Sequence, residues 1–325
     1  VIDLDDVGAD IRVIGIKVAL DQIEDLGIAQ PVALERHHLA CVFPARRVAA
    51  AAMEMRLQGN PEWAKLTSRK KMAIGLVDLS GETPRFARVN GNQMMYAASL
   101  PKIAILLSAY ASFDDGSLPE TDEFHKDLGD MIRVSSNSAA TRLIDAIGMK
   151  KIQAVMKDPQ YGFYDERQGG GLWVGKRFAK SGPRVGDPIN NISHGATATQ
   201  VCRFFYLLAS ERLISPQRSR MMLVDLSDPH LHHKFVSQIE ERAPGAEMYR
   251  KSGTWKQWHA DAIMVHGTHW RDYILVGLVE SENGENILRQ VLPVMEELIV
   301  PVEYAAASDD TRGVTVFQES RIVHN

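Results

Sequence analysis

The chain has 325 residues, of which 45% are apolar, 24% charged and 7% aromatic, with a formal net charge of −4. That length holds one large two-lobed domain or two domains with ample core, and the charge balance leaves no basic footprint for nucleic acid. Two cysteines, Cys41 and Cys202, are too few for a disulfide framework and lack metal-ligand spacing, and no window reaches the eighteen or so unbroken apolar residues of a membrane span.

Short basic runs occur at "SRKK" and "GKRFAK" and read as solvated faces. The first ten residues, "VIDLDDVGAD", are acidic and unlike a signal peptide, and the apolar part of "ARRVAAAAM" is too short for one. The chain is therefore either cytosolic or already without its leader.

Residues 1–45 form an amino-terminal segment without identifiable chemistry. Within it "IRVIGIKVAL" (11–20) has the β-branched, alternating character of a strand. Residues 46–67 read as helix interrupted by Gly59-Asn60-Pro61. "KMAIGLVDLS" and "RFARVN" then form two strands joined through Gly81-Glu82-Thr83-Pro84 as a hairpin. From Leu100 to about residue 230 helical patterns dominate, with Cys202 a buried thiol inside "TQVCRFFYLLAS". Strands return in "MYRKSGTW", "ADAIMVHG" and "YILVGLVES". The amphipathic helix "GENILRQVLPVMEELIV" follows, carrying Pro293 as a kink or first-turn residue. The tail 304–325 contains one further strand-like run, "GVTVFQESRIV".

This order predicts an α+β fold. Its antiparallel sheet, drawn from both ends of the chain (46–98 and 245–303), is flanked by helices, with an all-helical lobe inserted at 99–244. The cleft between the two is where a site belongs.

Three short motifs face such a cleft. "SLPK" sets Ser99 and Lys102 three positions apart, at the head of the all-apolar run "IAILLSAYA". A helix puts i and i+3 on one face, Pro101 fits only a first turn, and the helix terminus favours negative charge beside Ser99. A lysine buried there loses its charge readily and can take the serine proton. Ser68 and Lys71 repeat the spacing, but no buried helix follows them. "SSNS" supplies Ser135 and Asn137, able to relay a proton and to orient substrate; a plain Ser/Asn helix cap is the competing explanation. "RKSGT" places Lys251 and Ser252 on a strand as a carboxylate-binding pair, with Gly253 allowing close approach. There the N–H of Thr254 can join that of Ser99 in an oxyanion hole. The duplicate "KSGP" at 180–183 fails at that step, because proline has no N–H. Ser281-Glu282-Asn283 repeats the middle pattern at a strand end.

S-x-x-K, S-x-N and K-[ST]-G in this order resemble the serine β-lactamases and penicillin-binding proteins over residues 46–303. The S-x-N element and the size are similar to class A β-lactamases rather than class D. "GATATQVCRFFYLLASERLIS" resembles the helix after that family's Ω-loop, opened by Thr197 and Gln200 as a capping box. The resemblance implies an acyl-enzyme on Ser99, with Lys102 and Ser135 catalytic and Asn137, Lys251, Ser252, Gly253 and Thr254 binding substrate. It also implies a β-lactam or peptidoglycan-like peptide as ligand, no cofactor, no metal, and a periplasmic or secreted location. The activity expected is a class A-like β-lactamase, with a D,D-peptidase or esterase, or a stably acylated sensor, as alternatives.

The departures from that family concern release of the acyl group. Class A enzymes carry E-x-x-x-N on the Ω-loop; the matching region here, "YGFYDERQGGGLWVGKRF", offers Glu166 and then Asp165, with glycine at position 170. An exposed acidic turn is the competing explanation of Glu166, and "GGGLWVG" looks like turn and strand. Only 36 positions separate Ser99 from Ser135, a shorter interval than in typical class A members. Asp228, His230, His232 and His233 in "DPHLHHKF" do not match H-E-x-x-H and read as a solvated cluster, as does His37-His38. Trp255, Trp258 and His259 could line the cleft or simply pack, and Lys256 or Arg271 are candidates for the family's carboxylate-binding arginine.

Overall fold

The computed structural model describes residues 47–267, 270–301 and 304. The expected strand at 11–20, Cys41, His37-His38 and the strand-like run in the tail all lie outside those residues.

Asn60 divides the first helical stretch into α1 (Arg47–Gln58) and α2 (Pro61–Ser68). Its side chain caps α2 by accepting from the N–H groups of Glu62 and Trp63, and Pro61 occupies the first turn. β1 (Met72–Asp78) and β2 (Arg85–Val89) form the expected hairpin. β3 (Met95–Tyr96) leads into α3 (Lys102–Asp114), then α4 (Asp122–Arg133), α5 (Asn137–Ile147) and α6 (Met149–Lys157).

The middle of the chain is not helical throughout. β4 (Tyr164–Asp165), a 3₁₀ turn (Glu166–Gln168), β5 (Gly170–Gly171), β6 (Trp173–Val174) and β7 (His194–Ala196) interrupt it. Consecutive glycines and loop-forming Asp, Pro and Asn residues here favour short pairings over helix. Asp187 organises the loop. It is buried, and it accepts from Tyr164 Oη at 3.0 Å and from the N–H groups of Ile189, Asn190 and Ile192.

α7 (Ala198–Ala209) follows, capped by Thr197, whose hydroxyl accepts from Gln200 N at 3.3 Å. The reciprocal half of that capping box is not made, since Gln200 Oε1 is buried without a partner. Next come α8 (Pro216–Leu226), α9 (Phe235–Arg242), β8 (Glu247–Trp255), β9 (Trp258–His266), β10 (Asp272–Glu280) and α10 (Gly284–Glu296), with Pro293 inside α10.

The sheet runs β2-β1-β10-β9-β8, antiparallel at every pairing, so β8 is an edge strand, bridged on its outer side at Tyr249 to Ser227. Both faces are covered, which makes the strands near-continuously apolar instead of alternating. Ala73, Val77, Ile274, Val276 and Ala262 face a core shared with α3 and α7. Ile74, Leu76, Leu275 and Ile263 face a second core with α1, α9 and α10. Cys202 is a free, buried thiol in the first of these.

Sheet and helix approach closely at Gly75, where an added Cβ would lie 2.7 Å from Cys202 Sγ. Gly75→Ala is therefore expected to lower unfolding free energy by about 1–3 kcal/mol in urea denaturation. Adding Cys202→Ala should return part of that loss in a double-mutant cycle.

Candidate active site

Ser99 lies on the turn that enters α3. Lys102 N bonds Ser99 O at 3.2 Å and Ile103 N bonds Leu100 O at 3.3 Å, so the i→i+3 pattern of a 3₁₀ turn precedes the α-helix. In that geometry residues three apart eclipse, and Ser99 and Lys102 share a face more closely than a regular helix allows. From Ala97 to Phe113 every residue is buried except Ser99. The turn is pinned by Ala97 N, which donates to His194 O of β7 at 2.9 Å, and Ala98 adopts φ +50° immediately before the serine. Left-handed backbone at a residue with a side chain is stored strain of the kind found at functional sites.

Lys102 is fully buried. Its Nζ donates to Ser135 O (2.7 Å), Ser135 Oγ (3.3 Å), Ser136 O (3.3 Å) and Asn137 Oδ1 (2.9 Å). Lys251, also buried, reaches across from β8 to Ser135 Oγ at 2.9 Å and to Ser252 O at 2.8 Å. One hydroxyl thus bridges two buried amines. Ser135 holds φ +57° to present it, while Ser136 supplies the cap of α5 by accepting from Ala139 N. Capping and site chemistry are divided between adjacent residues.

Desolvation lowers the Lys102 amine to about 7 and pushes Lys251 well below its ordinary value, the charge of Lys102 adding to the effect on Lys251. Two ammonium groups on one hydroxyl are unfavourable in a dry site, so at neutral pH one amine is poised to accept.

Gly253 brings the edge strand against the serine. A Cβ there would strike the Ala97 carbonyl and lie 2.7 Å from Ser99 N and 2.9 Å from Leu100 N. Ser252 is buried and Thr254 exposed at the cleft rim.

Aromatic rings cover the opposite side. Phe178 stands with its ring centroid 4.6 Å from Lys102 Nζ and 4.3 Å from the ring of His194. Tyr96 makes edge contacts with His194 and with Trp258, at 6.1 Å and 5.4 Å. His194 is buried, and that burial lowers it to about 4; as a neutral ring it adds no charge beside the lysines.

Residues 126–292, just over half of the chain, match the family model of the beta-lactamase enzyme family. The chain belongs to that family. A search among curated proteins gives no match. Among solved structures it is similar to the β-lactamase from Sphaerobacter thermophilus (16% identity, TM-score 0.58, covering 76% of this chain and 95% of that one). It is also similar to PBP-A (17%, 0.54, 79% and 96%) and to the TLA-3 extended-spectrum β-lactamase (10%, 0.59, 79% and 99%). At these identities the likeness establishes the fold.

Within this β-lactamase-family fold, Ser99, Lys102, Ser135, Asn137, Lys251 and Gly253 converge on one cleft. Glu166 does not join them. It sits on the exposed 3₁₀ turn with its carboxylate 3.6 Å from Lys157 Nζ, and Asp165 beside it caps that turn through Arg167 N. The side chain that the loop extends over Lys102 is instead Phe178. Among the described residues, no carboxylate is hydrogen-bonded to Lys102, Ser135 or Lys251.

The carboxylate-binding candidates separate too. Arg271 is paired with Glu296 at 2.8 Å, on the far core, and Lys256 lies at the hairpin tip near exposed Trp255. The cation adjoining the Lys-Ser-Gly strand is Lys234, buried, with Nζ 2.8 Å from Gly253 O and 2.8 Å from Thr254 Oγ1. It belongs to "DPHLHHKF", which the sequence presents as a polar histidine cluster. The histidines themselves pair outward, His232 with Glu240 and His230 with Asp228, and among the described residues no group of side chains could hold a metal ion.

Between about pH 7 and 10.5 the unfolded chain keeps the Lys102 proton that the folded chain has lost, so stability rises with pH there. Below pH 7 both states are charged and the contribution is flat. Lys102→Met should remove up to about 1.4 kcal/mol per pH unit from that slope, read by denaturant titrations at pH 7, 8 and 9.

Proposed function

We propose that this protein is a serine hydrolase that opens β-lactams and related D-amino-acyl amides or esters through an acyl-enzyme on Ser99. One observation carries the reading: the Ser135 hydroxyl bridging two buried amines, 3.3 Å from Lys102 and 2.9 Å from Lys251, with Ser99 the one residue of the run from Ala97 to Phe113 that is not buried.

The steps follow from these groups. Neutral Lys102 takes the Ser99 hydroxyl proton as the oxygen attacks the substrate carbonyl. The N–H groups of Ser99 and Thr254 receive the developing oxyanion. As the carbon–nitrogen bond breaks, Ser135 donates its proton to the leaving nitrogen and is reprotonated from Lys102. Asn137 orients both Lys102 and the substrate, and Lys251 with Ser252 offers a positive, hydroxyl-bearing edge for a substrate carboxylate. Water then cleaves the ester on Ser99.

That last step is the slow one in this reading. The side chain that stands over Lys102 is Phe178, while Glu166, the residue matching the family's Ω-loop carboxylate, is turned to Lys157. A penicillin therefore stays on Ser99, and the natural substrate is a D-alanyl peptide or small ester whose acyl group leaves more readily. A variant of the structural neighbour PBP-A is described as an acyl-enzyme complex with penicillin G, which supports this side of the family. The second reading, rapid β-lactam turnover, is favoured by the neighbours named as β-lactamases and would need Lys102 or Ser135 to activate the water.

Intact mass measured over time with a penicillin separates the two. The expected result is one lasting adduct, abolished by Ser99→Ala and formed about 10²–10⁴-fold more slowly in Lys102→Ala; an adduct that clears within seconds supports the second reading. Glu166→Gln should change neither formation nor loss by more than about two-fold, since a solvated turn residue contributes little to the barrier. Accumulation of acyl-enzyme in that variant alone would return the deacylating role to Glu166.

Acylation should also fall about ten-fold per pH unit below the Lys102 value of about 7 and level off above it, because only the neutral amine accepts a proton. Stopped-flow acylation between pH 5.5 and 9 measures that limb.

A further inference from the structure

The peptide joining Gly253 to Thr254 is held from behind by a cation. Lys234 Nζ donates to Gly253 O at 2.8 Å, Thr254 Oγ1 at 2.8 Å and Ala260 O at 3.1 Å. Three acceptors use all three protons of an ammonium group, whereas a neutral amine has only two to give. Lys234 is fully buried and its donors are spent on the protein, so it does not reach into the cleft as a direct ligand.

The other end of that peptide faces the serine. Trp255 and Trp258 close the β8–β9 hairpin across two turn residues, and in such a ladder alternate residues direct their backbone groups to the partner strand. Residues 255, 253 and 251 turn toward β9, which leaves the Thr254 N–H on the open edge. The trans geometry of the peptide agrees, since its C=O and N–H point to opposite sides. Gly253 packs directly on Ser99 N, which puts the serine's turn beside the Gly253–Thr254 peptide.

The position of Lys234 is built rather than incidental. It takes φ +55° and ψ −121° at the head of α9, a backbone state strained for any residue with a side chain. Buried Asp261 fixes the next residue by accepting from Phe235 N at 3.1 Å, and is itself clamped by Arg250 at 2.6 Å and 3.0 Å.

We infer that Lys234 is a positioning residue that strengthens the oxyanion hole, its ammonium polarising the Gly253–Thr254 peptide from the carbonyl side so that the Thr254 N–H becomes a better donor to the tetrahedral oxyanion. A charged donor on an amide carbonyl strengthens the hydrogen bond made by the same amide's N–H, most of all in a low-dielectric site. The inference rests on Ser99 being acylated as proposed above.

The test compares the parent with Lys234→Met, Lys234→Gln and Lys234→Arg, using two acyl donors: a penicillin, which bears a carboxylate, and a neutral activated ester, which does not. Removing an oxyanion-hole donor outright costs about 10²–10³-fold; a donor kept but no longer polarised should cost about ten-fold. Lys234→Met is expected to lose that factor in the acylation rate constant with both donors, keeping the dissociation constant of the preceding complex within about two-fold. The infrared carbonyl band of its acyl-enzyme should move to higher wavenumber. Lys234→Arg should restore rate and band position, and Lys234→Gln should fall between, so the series still reads out if the methionine variant does not fold.

A loss confined to the penicillin, accompanied by weaker prior binding, would make Lys234 a carboxylate anchor and overturn the inference. An unshifted carbonyl band in both the methionine and glutamine variants would do so as well. If the parent is acylated by neither donor, the proposed function itself fails, a result separate from either of these.

Discussion

Everything at this site depends on burying amines. Lys102, Lys234 and Lys251 are all withdrawn from water, and carbonyl, hydroxyl or amide acceptors meet each of them, three or more for Lys102 and Lys234 and two for Lys251. Burial without those acceptors would expel the side chains or unfold the segment, since an unpaired buried charge is among the costliest defects a core can hold. With the acceptors in place, the same burial lowers Lys102 to about 7, which is what the proposed proton transfer from Ser99 requires. The strained conformations at Ala98, Ser135 and Lys234 belong to the same arrangement: each turns a short segment so that a hydroxyl, an amine or an N–H meets its partner.

The second constraint is a sheet edge. β8 pairs with a strand on one side and meets only the single bridge of Tyr249 to Ser227 on the other, and such an edge is ordinarily an aggregation liability. Here the edge is capped by the entry turn of α3, with Gly253 giving the backbone contact. A sheet built from both ends of the chain and covered on both faces supplies a stiff platform for that contact. The aromatic group of Phe178, His194, Tyr96 and Trp258 forms the remaining wall.

Much of this was legible in the sequence. The five long strands, the helical middle and the three motifs announced themselves because apolar periodicity and turn residues are local signals, and the motifs could be sorted from their duplicates by physics, as the proline after "KSG" at 183 shows. Glu166 was a less certain reading because a carboxylate's partner is set by how a loop folds, and that loop is organised by Asp187, whose backbone bonds no spacing reveals. Phe178 and His194 were missed for the same reason. Lys234 was hidden inside a histidine-rich stretch that looks solvated. Its burial follows from Phe235 and from the Arg250–Asp261 pair, contacts between segments far apart in the chain. The short strands β4–β7 escaped notice because two-residue pairings leave almost no periodic trace.

The run from Ala97 to Phe113, buried throughout except at Ser99, has a further consequence. Segments with so little exposed surface exchange their amide hydrogens only when the whole molecule opens, whereas loops and lids open on their own. Ser99, the nucleophile of the proposed reaction, therefore belongs to a run that opens with the whole molecule, and loosening of a loop elsewhere does not disarm it. Loss of reactivity on heating and loss of structure become a single event.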